Sequence, residues 1–180
     1  MLIETVTEDV FQTMGIHLIT AATQLFEAYG MQVCERSGDP ERDSIVEAYV
    51  VSYIGFTGDK IRGAIVMTAS PASVRSWQSA IGETTASLCD TIGEVSNMLL
   101  GRLKGHLLMD GVTIMLSTPT TASGKEVSFS ATAGARSSWI GLDGSNWRTD
   151  VRLDVAFEAG FELAPRPRSV VAQAGEAFLF

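Results

Sequence analysis

Between residues 84 and 105 the chain carries a pattern that only an α-helix can use. A helix turns about 100° per residue, so positions three and four apart share a face. With Asp90 set at zero, Leu88, Ile92, Val95, Leu99 and Leu103 fall between about 140° and 220°. Asp90, Glu94, Asn97 and Gly101 fall at about 0°, 40°, 340° and 20°. One side is a tight aliphatic stripe that must be buried, and the other is a polar row that must face water. Any fold of this chain has to supply a layer against which this helix lies.

The polar row is unusual for a solvated face. Glu94 has no Lys or Arg four residues on, because Met98 stands there. Asn97 is a weak helix former in mid-helix, where Gln or Glu would be locally better. Gly101 lies in the row with Gly93 and Gly105 beside it, and each glycine costs up to about 1 kcal/mol against alanine. Bare glycine along an exposed stripe lets another surface approach closely. The helix gives up local stability for what reads as a docking face. Ordinary solvated faces are common, and periodicity alone leaves that simpler reading open.

The flanking segments set the fold class. Residues 5 to 14 read as a helix with Thr7 as N-cap and Glu8 and Asp9 in its first turn, and Gly15 is a possible end. Residues 16 to 29 suit a helix or, at Ile16 to Thr20, a strand. Ser37 to Asp43 reads as a polar loop. Ile45 to Phe56 and Arg62 to Thr68 read as paired strands joined by the turn Thr57-Gly58-Asp59-Lys60. Ser70-Pro71 starts a helix that stops before Gly82.

Beyond the long helix, residues 111 to 118 and 126 to 132 alternate as strands do, and Pro119 to Gly124 reads as a loop. Residues 134 to 147 read as a loop or long hairpin connection. Val151, Leu153, Val155 and Phe157 alternate with polar neighbours as the clearest half-buried strand. The expected fold is α+β, a largely antiparallel sheet packed against long helices. One domain is expected over residues 1–164, with 165–180 as a C-terminal tail that ends in Phe178-Leu179-Phe180.

Composition excludes several functions. Apolar residues make up 46% of the chain and charged residues 19%, which is globular rather than disordered. A formal net charge of -8 disfavours nucleic acid and anionic membranes as partners. It favours a protein partner that offers lysines. No basic segment precedes an apolar run at the start, and no window approaches the roughly 20 apolar residues of a membrane span, so a cytoplasmic protein is expected. His17, His106, Cys34 and Cys89 lack metal-ligand spacing, so no metal site is expected. No nucleophile elbow or phosphate loop is present. Trp77 is expected in the core, and Trp139 and Trp147 in more open positions.

The stretch Asp90-Thr-Ile-Gly-Glu-Val-Ser-Asn-Met-Leu-Leu-Gly101 resembles the signature helix of the CheC/CheX/FliY family of chemotaxis phosphatases. The hairpin from Val51 to Ile65 looks like the family's paired strands, Ser117-Thr-Pro-Thr120 like the strand and loop after the helix, and Val10-Phe-Gln-Thr-Met14 like its first helix. The resemblance covers residues 5 to 158. One such helix, with only an Asp9-x-x-Gln12 echo near the N-terminus, is more like CheX than CheC.

This resemblance implies a phosphatase that docks on a phosphorylated CheY-like receiver domain and hydrolyses its aspartyl phosphate. Glu94 and Asn97 are then the catalytic residues, and Asp90 and Gly101 the partner-binding ones. It also implies a homodimer, and no cofactor of the chain's own, because Mg²⁺ is supplied on the receiver. The alternative is a non-catalytic module of the same fold that binds a signalling or motor protein.

Overall fold

The computed structural model describes residues 2–36, 49–82, 84–125, 127, 129–131 and 134–163. The Ser37–Asp43 loop, the start of the first expected hairpin strand and the tail from 165 lie outside the described residues. Among these residues, three helices and seven strands follow in the order α1 (Leu2–Ala28), β1 (Cys34–Arg36), β2 (Tyr49–Gly58), β3 (Ile61–Ala69), α2 (Pro71–Ile81), α3 (Leu88–Met109), β4 (Ile114–Leu116), β5 (Thr120–Gly124), β6 (Arg136–Asp143) and β7 (Arg148–Phe157). The fold is α+β, and every strand pairing described is antiparallel. The sheet runs β1-β6-β7-β3-β2-β4, and β5 also pairs with β2.

The hairpin β2–β3 pairs Val50 with Ala69 through to Gly58 with Ile61. Asp59 and Lys60 make its turn, and Lys60 takes a left-handed φ of 57°. The same register puts Ile54, Ile65, Leu153 and Ile140 into one core with the helices. α2 begins as its sequence demands. Ser70 Oγ accepts from the Ser73 amide, Pro71 fills the first turn, and Gly82 closes the helix at φ 78°.

α1 is one helix of 27 residues, with no break at Gly15 and no strand at Ile16 to Thr20. Thr7 therefore lies inside the helix rather than at its cap. Val10, Met14, Leu18, Ala22 and Phe26 recur every four residues and are all buried, with Ala21 and Leu25 beside them. Burying such a stripe outweighs the roughly 1 kcal/mol that Gly15 costs. α3 likewise starts later and runs further than its pattern suggests. Ser87 caps it, and it passes Gly105 because Leu107 continues the buried stripe. It ends where Gly111 adopts φ 79° and the Val112 amide returns to the Leu107 carbonyl at 2.9 Å.

Four expectations after α3 are corrected. The expected strand over residues 111 to 118 is limited to Ile114–Leu116. The expected loop from Pro119 to Gly124 is instead the edge strand β5, with Thr120 opposite Tyr53 and Gly124 opposite Tyr49. The alternating stretch at 126 to 132 forms no strand among its described residues; there Phe129 stacks on Tyr53 at 5.5 Å. The glycine-rich connection from 134 holds the eight-residue strand β6, paired along its whole length with β7.

Trp147 is not open either. It is buried against Phe26 (4.4 Å between ring centroids) and edge-on to Trp77 (6.0 Å). Its indole lies where a side chain at Gly144 would stand, so the β6–β7 turn has room for it only because residue 144 is glycine. Trp77 is fully buried, as expected, and Trp139 is half-buried beneath the Arg152 guanidinium.

Candidate functional site

α3 is anchored so that its polar row faces outward. Ile92, Val95, Leu99, Leu100 and Leu103 are buried beneath it, and Ser96 Oγ reaches Met67 Sδ at 3.7 Å. α1 packs alongside, and β2, β4 and β5 lie under it. With the buried stripe held this way, Asp90, Glu94, Asn97 and Gly101 are all exposed, as the helical spacing requires.

The four residues are not equivalent. Asp90 is tied to the helix start: its amide donates to Ser87 Oγ at 3.1 Å, and Ser87 Oγ donates to a carboxylate oxygen of Asp90 at 2.7 Å. This reciprocal arrangement caps α3 and holds Asp90 in one place. Glu94 and Asn97 have no hydrogen-bonding or ionic partner for their side chains among the described residues. They stand on adjoining turns with their polar groups in water. A carboxylate there can accept hydrogen bonds from a partner's ammonium, and an amide can donate and accept at once. The Glu94 side chain is thus available for docking and the Asn97 side chain for orienting a small molecule such as water.

The glycines divide sharply. A Cβ at Gly101 or Gly105 would meet nothing within 4 Å, so both lie bare on the surface. Gly93, expected beside them on the exposed stripe, is buried. A Cβ there would stand 3.2 Å from Thr121 Cγ2 and 3.7 Å from Pro119 Cβ. Gly93 lies at about 300° on the wheel, where β5 crosses the helix flank, and that contact was not legible because β5 itself was not.

A second polar cluster lies at the other end of α3. His17 Nε2 is 2.6 Å from Asp110 Oδ2 and both residues are buried. The His106 ring stacks on His17 at 5.4 Å and contacts Gln24 Oε1 at 3.3 Å. No local sequence signal points to this pairing, since 93 positions separate His17 from Asp110. The cluster joins α1 to the α3 terminus. Among the described residues no group of three or more His, Cys, Asp or Glu could hold a metal ion. No helix among them is long and apolar enough to cross a membrane.

Several solved structures share this fold. CheX from Desulfovibrio desulfuricans superposes with a TM-score of 0.65 at 20% identity, over 81% of this chain and 99% of that one. The CheX–CheY–BeF3–Mg²⁺ complex from Borrelia burgdorferi matches with a TM-score of 0.58 at 15% identity, over 77% and 95%. FliY from Thermotoga maritima matches at 0.55 and 16%, over 83% and 88%. No curated protein matches the sequence. Residues 50–143, just over half the chain and the stretch that holds α3 with its polar row, match the family described as Chemotaxis phosphatase CheX. The chain, with Glu94 and Asn97 presented on this helix, therefore belongs to the CheX chemotaxis phosphatase family.

Proposed function

We propose that this protein docks α3 on a phosphorylated CheY-like receiver domain and hydrolyses its aspartyl phosphate. The observation that carries the reading is the exposure of Glu94 and Asn97 on one face, with no side-chain partner among the described residues. The CheX–CheY–BeF3–Mg²⁺ complex of a structural neighbour supports a receiver as the partner.

In this reading the Glu94 carboxylate pairs with a lysine of the receiver and fixes the helix over the phosphorylated site. The Asn97 amide holds a water in line with the bond to be broken, using its carbonyl for the water and its NH₂ for the phosphoryl region. Water oxygen bonds to phosphorus, the bond from phosphorus to the aspartyl oxygen breaks, and free carboxylate and inorganic phosphate leave with a proton. Asp90, held by Ser87, supports the rim of the contact, and Gly101 lets the partner come close. Mg²⁺, bound on the receiver, neutralises developing charge. Catalysis of this kind is mostly positioning, so small losses of geometry have large effects.

The test is loss of phosphate from purified CheY-like receivers, each phosphorylated with acetyl phosphate, with and without this protein. Asn97→Ala is expected to slow hydrolysis at least about 100-fold with an unchanged circular-dichroism spectrum. An Ala variant as active as the wild type would remove Asn97 from the mechanism. A receiver that binds the protein but keeps its phosphate would favour a non-hydrolysing module instead. The reading includes a cytoplasmic homodimer, and a single-chain mass in sedimentation equilibrium would remove the dimer from it.

A further inference from the structure

We propose that Gly93 and Thr121 are positioning residues for this reaction, holding the Pro119–Thr121 segment as a wall on the Asn97 side of the docking row. The inference rests on the phosphatase reading above. Gly93 lies one turn before Asn97 and about 40° from it around the helix, on the side away from Glu94. Pro119 and Thr121 are half-buried, both within 4 Å of where a Cβ at 93 would stand, and their neighbours Thr118 and Thr120 are exposed along the same ridge.

β5 is an edge strand, paired with β2 among the described residues through Thr121 opposite Ser52. Its sheet partner fixes β5 along one side. Its height over the helix is set by contact, and at the Thr121 methyl the space left is that of a missing side chain. A Cβ at 93, 3.2 Å from Thr121 Cγ2, would require that methyl to give by a few tenths of an ångström, and a β-branched side chain stiff at χ1 passes the shift to its own backbone. The receiver then meets a surface with two sides, the helix row and the ridge, whose separation determines where the Asn97-held water stands relative to phosphorus.

The test is Gly93→Ala, with the hydrolysis rate normalised to folded protein by circular dichroism and with receiver affinity measured separately. Where an ångström of misplacement costs about 100-fold, a few tenths should lower kcat about 5-fold and leave Kd within about twofold. Adding Thr121→Ser to Gly93→Ala removes the methyl that the new Cβ meets and should restore kcat. Full activity in Gly93→Ala would overturn the inference. So would a loss seen only in Kd, or a loss of kcat that Thr121→Ser does not rescue. A wild-type protein silent on every receiver would overturn the phosphatase reading and this inference with it, whereas an active wild type with any of those three outcomes overturns this inference alone.

Discussion

α1 and α3 are built alike but present different outer faces. Each exceeds 20 residues, each buries a continuous apolar stripe, and each carries a glycine whose missing side chain would meet nothing, Gly15 in one and Gly101 in the other. They pack on each other and are joined by the buried contact between His17 and Asp110. They differ at several of their outer polar groups. On α1, Glu8 is held by Arg136 and Gln12, and the Thr13 and Thr20 hydroxyls bond to carbonyls of their own helix at 2.8 and 2.9 Å. On α3, Glu94 and Asn97 have no such partner among the described residues. Length and periodicity do not tell these two faces apart. What sets α3 apart is that Glu94 and Asn97 stand on adjoining turns of one face, whereas the exposed α1 carboxylates with no partner among the described residues, Asp9 and Glu27, lie far apart along it.

Gly101→Leu should give the largest effect on this contrast. It fills the bare part of the α3 row without touching the core, and KM for the phosphorylated receiver should rise about tenfold or more, equivalent to at least about 1.4 kcal/mol, with kcat little changed. Steady-state kinetics reads it, and an unchanged KM would mean that the partner does not approach at Gly101. Next, His17→Ala removes one member of the buried pair that joins the helices. Loss of one partner from such a pair costs about 1–3 kcal/mol, which urea denaturation would show as a lower midpoint. The hydrolysis rate per folded molecule should stay the same, which separates the structural joint from the docking row.

The smallest effect is on α1. Hydrogen bonding to Arg136 and then to Gln12 holds the Glu8 carboxyl below its ordinary value of 4.5. Because the folded-state value is depressed, the stabilising contribution is present above pH 4.5 and disappears as pH falls through the lower folded value. Glu8→Gln should therefore lower the denaturation midpoint slightly near neutral pH and leave it unchanged in acid. An equal difference at both ends would remove the ion pair as its source.

The parts of the fold legible in the sequence are those whose signals are local. Ser70, Pro71 and Gly82 bound α2, Asp59 and Lys60 turn the β2–β3 hairpin, and the Leu88–Leu103 stripe turns the α3 row outward. The full length of α1 was also written in its four-residue repeat from Val10 to Phe26, but Gly15 read as punctuation because glycine ends helices more often than it sits within them. β5 and β6 were not legible. Thr120–Gly124 is polar and becomes a strand because β2 offers it an unpaired backbone edge. Arg136–Asp143 has its alternation in Ser138, Ile140 and Leu142, obscured by Gly141, over which the Arg36 guanidinium lies. Arg36 also pairs with Asp143 at 2.9 Å and with Asp150, tying β1 to β6 and β7.

By itself the sequence determined that one helix would show Asp90, Glu94, Asn97 and Gly101 on a single face, because helical geometry follows from residue spacing alone. The tertiary structure decided what surrounds that face. It left Glu94 and Asn97 without partners among the described residues and laid Pro119 and Thr121 against Gly93. Those outcomes depend on which backbone edge and which core surface lie within reach, and residues far apart in sequence come within reach only once the sheet has formed.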